Sequence, residues 1–79
     1  MNFKELLKSK KITQETLVLQ LRSVFGLVKY QQQVSEWVKG VRVIDPVSVY
    51  FIAKVLHCSS DDVLEASFIS SGISFKGMV

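Results

Sequence analysis

Gln31-Gln32-Gln33-Val34-Ser35-Glu36-Trp37-Val38-Lys39-Gly40 is the stretch on which the reading of this chain turns. Apolar residues occur in it only at Val34, Trp37 and Val38, a single stripe, which predicts an amphipathic helix from about Lys29 to Lys39 with Gly40 as its stop. Three carboxamides in succession lead its polar side. Each holds a donor and an acceptor in one plane.

Working outward, Lys10-Lys11-Ile12-Thr13-Gln14-Glu15 reads as an earlier helix start with Thr13 as N-cap. That helix carries Leu17, Val18, Leu21, Val24 and Phe25 at helical spacing and stops at Gly26. Before it, Phe3 to about Ser9 places Phe3, Leu6 and Leu7 on one face, with Lys4, Glu5 and Lys8 outside. On the far side, Asp45-Pro46 is an N-cap followed by proline at the first helical position, so the Val-rich run Val47 to Leu56 is predicted to be helix rather than strand. Its inner face is Val49, Ile52, Ala53 and Leu56. Ser59-Ser60-Asp61-Asp62 opens a short fifth helix, capped by Ser59, from which Val63, Leu64 and Phe68 return to the core. The expectation is an all-α domain over residues 1–66, a compact five-helix bundle.

With 79 residues, 48% of them hydrophobic, the chain supports one domain around one small core. No run of 18 apolar residues exists and Met1-Asn2-Phe3-Lys4-Glu5 is not the start of a signal peptide, so no membrane association is expected and a cytoplasmic location is. One cysteine and one histidine make neither an internal disulfide nor a zinc site, and no cofactor is expected. No nucleophile, base and orienting group form a set, so neither enzyme activity nor a small-molecule substrate is expected. The net charge of +3 is unevenly spread: residues 1–42 carry +5 and residues 43–79 carry −2. The basic half contains the glutamine helix, and a polyanion is drawn to that end first. Scattered lysines that merely keep a small domain dissolved are the alternative.

Ile12-Thr13-Gln14-Glu15 with Leu17, Gln31-Gln32-Gln33-Val34-Ser35-Glu36-Trp37 with Gly40, Asp45-Pro46 with Tyr50, Ala53-Lys54 and Leu56, and then His57-Cys58-Ser59-Ser60-Asp61-Asp62-Val63-Leu64 form a combined pattern over about the first 66 residues. In that pattern the chain resembles the lambda-repressor and Cro family of helix-turn-helix domains, which phage and bacterial transcription regulators use to bind double-stranded DNA. Two features depart from it. Nine residues, Arg22 to Tyr30, separate Leu21 from Gln31 where a turn of about three is usual. Because Val24 and Phe25 continue an apolar pattern, the second helix is expected to be longer by one or two turns, with Gly26-Leu27-Val28-Lys29 as the connection and Tyr30 in place of the usual Ser or Thr cap. Val18 stands where alanine is favoured, which implies a wider or re-angled crossing of the helices.

The resemblance implies roles by position. Gln31 is the first expected base reader, by a bidentate contact to an adenine edge, and Gln32 the next. Ser35 and Glu36 lie one turn on, with Glu36 able to accept from cytosine N4. Gln14 is expected to donate to a phosphate, and Lys29, Lys39 and Arg42 to hold the DNA backbone on either side. Each has a plainer reading. Exposed glutamines are ordinary helix formers, and Glu36 is otherwise a solvated charge or an i+3 partner of Lys39. Gln33 is expected toward a neighbouring helix or solvent, Trp37 and Cys58 in packing, and His57 at a helix end where the family prefers glycine. Tyr30 is left open between a phosphate contact and a cover for the core.

Residues 67–79 carry one charge and the apolar Phe68, Ile69, Ile73, Phe75, Met78 and Val79, and read as a C-terminal tail. A dimerisation arm is one expectation for it, giving a homodimer on an inverted repeat; a strap over the chain's own core and a frayed terminus are the others. The function expected is a sequence-specific transcriptional regulator, a small phage-type repressor or Cro-like protein. The antitoxin of a toxin-antitoxin pair and a protein-interaction module without DNA binding are the alternatives.

Overall fold

A computed structural model describes residues 1–72. Five helices follow in order: α1 (Phe3–Ser9), α2 (Gln14–Phe25), α3 (Gln31–Lys39), α4 (Pro46–Leu56) and α5 (Ser60–Ser70), with no strand among the described residues. The all-α, five-helix architecture expected from the sequence is the one observed.

Local chemistry sets the helix starts. The hydroxyls of Thr13 and Ser59 accept from the backbone N–H of Thr16 and Asp62, and the Asp45 carboxylate accepts from Ser48. Asn2 and Glu5 form a reciprocal capping box at the head of α1. Gly26 and Gly40 close α2 and α3 in the left-handed region, and His57 does the same for α4 at φ 55°.

The core is one cluster to which every helix contributes: Phe3 from α1, Leu17 and Leu21 from α2, Val34 and Trp37 from α3, Ile52 and Leu56 from α4, and Val63 from α5. The rings of Phe3 and Trp37 meet edge to face at 6.4 Å. α5 packs on α1, α3 and α4, and α2 packs on α3 and α4. Two serine hydroxyls of α5 tie distant backbone to the bundle: Ser70 accepts from the Phe3 N–H and Ser67 from the Ile44 N–H, each at 2.8 Å. These two groups are thereby satisfied without water.

Three expectations change. α3 starts at Gln31 rather than Lys29, because Tyr30 stays extended (φ −99°, ψ 154°) as the residue preceding the helix. α2 is lengthened as expected, but Val24 is 66% exposed: the added turn carries it past the core, while Phe25 meets Phe51 of α4, 5.0 Å between rings. α5 continues to Ser70 with Ser67 buried and Phe68 half-buried, so the boundary drawn between residues 66 and 67 falls inside a helix. The rest of the expected tail, Ile73 to Val79, lies outside the described residues. No helix among the described residues is long and apolar enough to cross a membrane.

Candidate nucleic-acid interface

α3 is held by the bundle on one side only. At about 100° per residue, Gln31, Gln32, Ser35, Glu36 and Lys39 share the arc opposite Val34 and Trp37, which are buried. Gln31, Gln32 and Lys39 are exposed; Ser35 and Glu36 are half-buried. All five positions expected to face DNA from this helix therefore lie on one surface.

Gln31 is braced from the neighbouring helix. Its Nε2 donates to Oε1 of Gln14 at 3.3 Å, joining the first residue of α3 to the first residue of α2. That bond uses one hydrogen of the Gln31 amide. The second N–H and Oε1 have no other partner among the described residues, and these are the donor and acceptor that a base edge requires. Gln14 likewise retains its own NH₂ as a donor. Fixing the carboxamide plane lowers the ordering cost of a two-point contact.

Gln33 serves the helix instead. Its Oε1 accepts from the Tyr30 backbone N–H at 2.9 Å, the half of a capping box in which the third helical residue reaches back to the residue preceding the helix. The Tyr30 ring is 69% exposed, so it does not cover the core.

The expected backbone-holding cations divide. Lys39 is exposed. Arg42 pairs with Glu36 at 3.5 Å, so the partner of Glu36 is Arg42 and not Lys39. The cause is local: the N–H groups of Val41 and Arg42 turn back onto the Glu36 carbonyl, folding the loop over the end of α3. Lys29 lies 3.6 Å from Asp45 and its side chain is only 18% exposed, so it ties the α2–α3 connection to the start of α4. Burial pushes the Asp45 carboxyl up, but hydrogen bonds from the Ser48 hydroxyl and backbone, with the Lys29 charge, outweigh it and hold the group below the ordinary aspartate value.

The structure adds cations that the sequence reading did not single out. Lys4, Lys8 and Lys11 line one groove, floored by Leu7, Ile12 and Val38, that also includes Gln14. Their spacing of four and then three residues was the available signal. Elsewhere Cys58 packs against the core as a half-buried apolar group. Burial, and then the Asp62 carboxylate, push its thiol up, against a smaller opposing effect of Lys10 and away from a reactive thiolate. No group of three His, Cys, Asp or Glu side chains among the described residues has a metal-binding arrangement.

Comparison with protein-family models, with curated proteins and with solved structures finds no match to this chain.

Proposed function

We propose that the chain is a sequence-specific DNA-binding regulator of the helix-turn-helix kind, acting as a small phage-type repressor or Cro-like protein that enters the major groove with α3. The observation that carries this reading is the Gln14–Gln31 hydrogen bond. A helix that merely faces solvent has no need of a carboxamide braced from a second helix; a helix that presents one donor and one acceptor to a base gains from it. The polar arc of α3 and the +5 charge of residues 1–42 support the same reading. Gln31 is the leading base reader and Gln32 the second, with Ser35 within reach. Glu36 reads cytosine only by exchanging its Arg42 partner. Gln14 and Lys39 hold phosphates, while Arg42 and Lys29 contribute from within their ion pairs.

The test is binding to a duplex selected from a random library against binding to unselected duplex. Gln31→Ala should cost about 1–3 kcal/mol on the selected site and little on the unselected one, and Lys39→Ala should weaken both. Equal losses for Gln31→Ala on the two duplexes remove it from the readers. Absence of any selected sequence removes sequence-specific regulation.

A regulator that also holds a protein partner, whether a second copy or a toxin, is the second reading. One observation favours it: Val47 and Tyr50 of α4 are more than half exposed, and the Tyr50 ring meets Phe51, itself paired with Phe25. Light scattering across a concentration series, with and without the selected duplex, tests the homodimer; a monomeric mass throughout removes it.

A further inference from the structure

We infer that Lys4, Lys8 and Lys11 form a second phosphate-binding element, a basic groove along α1 that takes a strand of the DNA backbone next to the Gln14–Gln31 pair. This inference rests on the proposed DNA reading and extends its footprint beyond the residues of α2 and α3.

Three observations lead to it. The first is continuity. Gln14 belongs to both features: its Oε1 accepts from Gln31, and its side of the molecule lines the groove with the three lysines. A duplex contacted by Gln31 and Gln14 at one end of this line is carried toward Lys11, Lys8 and Lys4 along the other. The second is charge. Lys4, Lys8 and Lys11 are exposed, and no carboxylate among the described residues pairs with them or lines their groove. Lys29 and Arg42, by contrast, are each engaged with an acid. Beside Lys39, the positive charge not engaged with an acid near the Gln14–Gln31 pair is therefore that of Lys4 and Lys8 on α1 and Lys11 in the turn that follows. A concave wall lined by one sign of charge over an apolar floor of Leu7, Ile12 and Val38 concentrates the field on whatever enters it.

The third is a division between two neighbours in sequence. Lys11 adopts the left-handed conformation, φ 57°, at the turn out of α1. Lys11 lies in the groove with Gln14, whereas Lys10 lies in a different one, with Cys58, Asp62 and Glu65. Adjacent lysines thus face opposite electrostatic surroundings, one open to a polyanion and one already beside two carboxylates. The polyphosphate backbone of DNA, which presents evenly spaced single negative charges, is the partner that a row of lysines at 4, 8 and 11 fits.

The experiment is a salt titration of binding to a random-sequence duplex, which isolates backbone contacts from base reading. Wild type, Lys4→Gln/Lys8→Gln/Lys11→Gln, Lys11→Gln alone and Lys10→Gln are compared, with helical circular dichroism confirming that each is folded. Each phosphate contact removed should lower the slope of log affinity against log salt by about 0.9. The triple variant should therefore lose about 40-fold less affinity than wild type between about 50 and 200 mM salt. Lys10→Gln should keep the wild-type slope. A folded triple variant with an unchanged slope, or a Lys10→Gln effect equal to that of Lys11→Gln alone, overturns the inference and leaves the Gln31 reading intact. A wild-type chain that binds neither random nor selected duplex overturns both.

Discussion

α3 and α4 lie next to each other in the chain and solve opposite problems. α4 buries Ser48, Val49, Ile52, Ala53, Val55 and Leu56 out of eleven residues, whereas α3 buries only Val34 and Trp37 out of nine. What α3 lacks in burial it gains in bracing: Gln14 holds its first side chain, Gln33 satisfies the backbone that precedes it, and Arg42 covers its far end. The difference separates the helix that stabilises the domain from the helix that can present polar side chains without being needed for the core.

The largest expected effect tests that separation directly. Ile52 is fully buried, so Ile52→Ala should lower unfolding free energy by about 2–5 kcal/mol in a denaturant titration. Gln32→Ala on exposed α3 should change it by no more than about 0.5 kcal/mol. A Gln32→Ala loss as large as that of Ile52→Ala would mean that the outer face of α3 supports the fold, and the contrast would break.

Next in size is the seal at the end of α3. Gly26 and Gly40 both sit at positive φ after a helix, but a Cβ at Gly26 meets open space whereas one at Gly40 runs into the Ser70 backbone carbonyl. Gly26→Ala should cost about 1 kcal/mol from the left-handed conformation alone. Gly40→Ala adds displacement of the end of α5 and should cost at least about 2 kcal/mol. Equal melting midpoints for the two variants would show that α5 yields freely at Ser70.

How much of this was legible in the sequence depends on range. Caps at Thr13, Asp45 and Ser59 and stops at Gly26 and Gly40 were readable because each is decided within four residues. The polar arc of α3 was readable from its spacing. Val24 was misplaced because helical periodicity reports which side of a helix a residue occupies, not whether a neighbour exists at that height, and α2 outruns its neighbours there. The Lys29–Asp45 pair joins residues 16 apart in sequence, and the Gln14–Gln31 bond joins residues 17 apart; neither pairing could be deduced from local pattern. Lys4, Lys8 and Lys11 were counted as charge but not placed, since nothing in the sequence shows that α1 and the start of α2 enclose a groove.

The smallest expected effect concerns the joint between the two helices. Asp45 caps α4 through Ser48 and, through Lys29, anchors the connection that leads into α3. Its carboxyl is held below the ordinary aspartate value in the folded chain, so the folded state binds the proton less readily than the unfolded one. The stability this contributes is present above the unfolded value, near pH 4, and is lost as pH falls through the lower folded value. Asp45→Asn keeps an N-cap acceptor but cannot titrate or pair with Lys29. The variant should therefore lose less stability than wild type as pH is lowered from about 5 to 2, read as the shift of the denaturant midpoint at each pH. Identical shifts for both proteins would mean that the Asp45 charge does not anchor the connection, leaving α3 to be positioned by the burial of Val34 and Trp37 and by the Gln14–Gln31 bond.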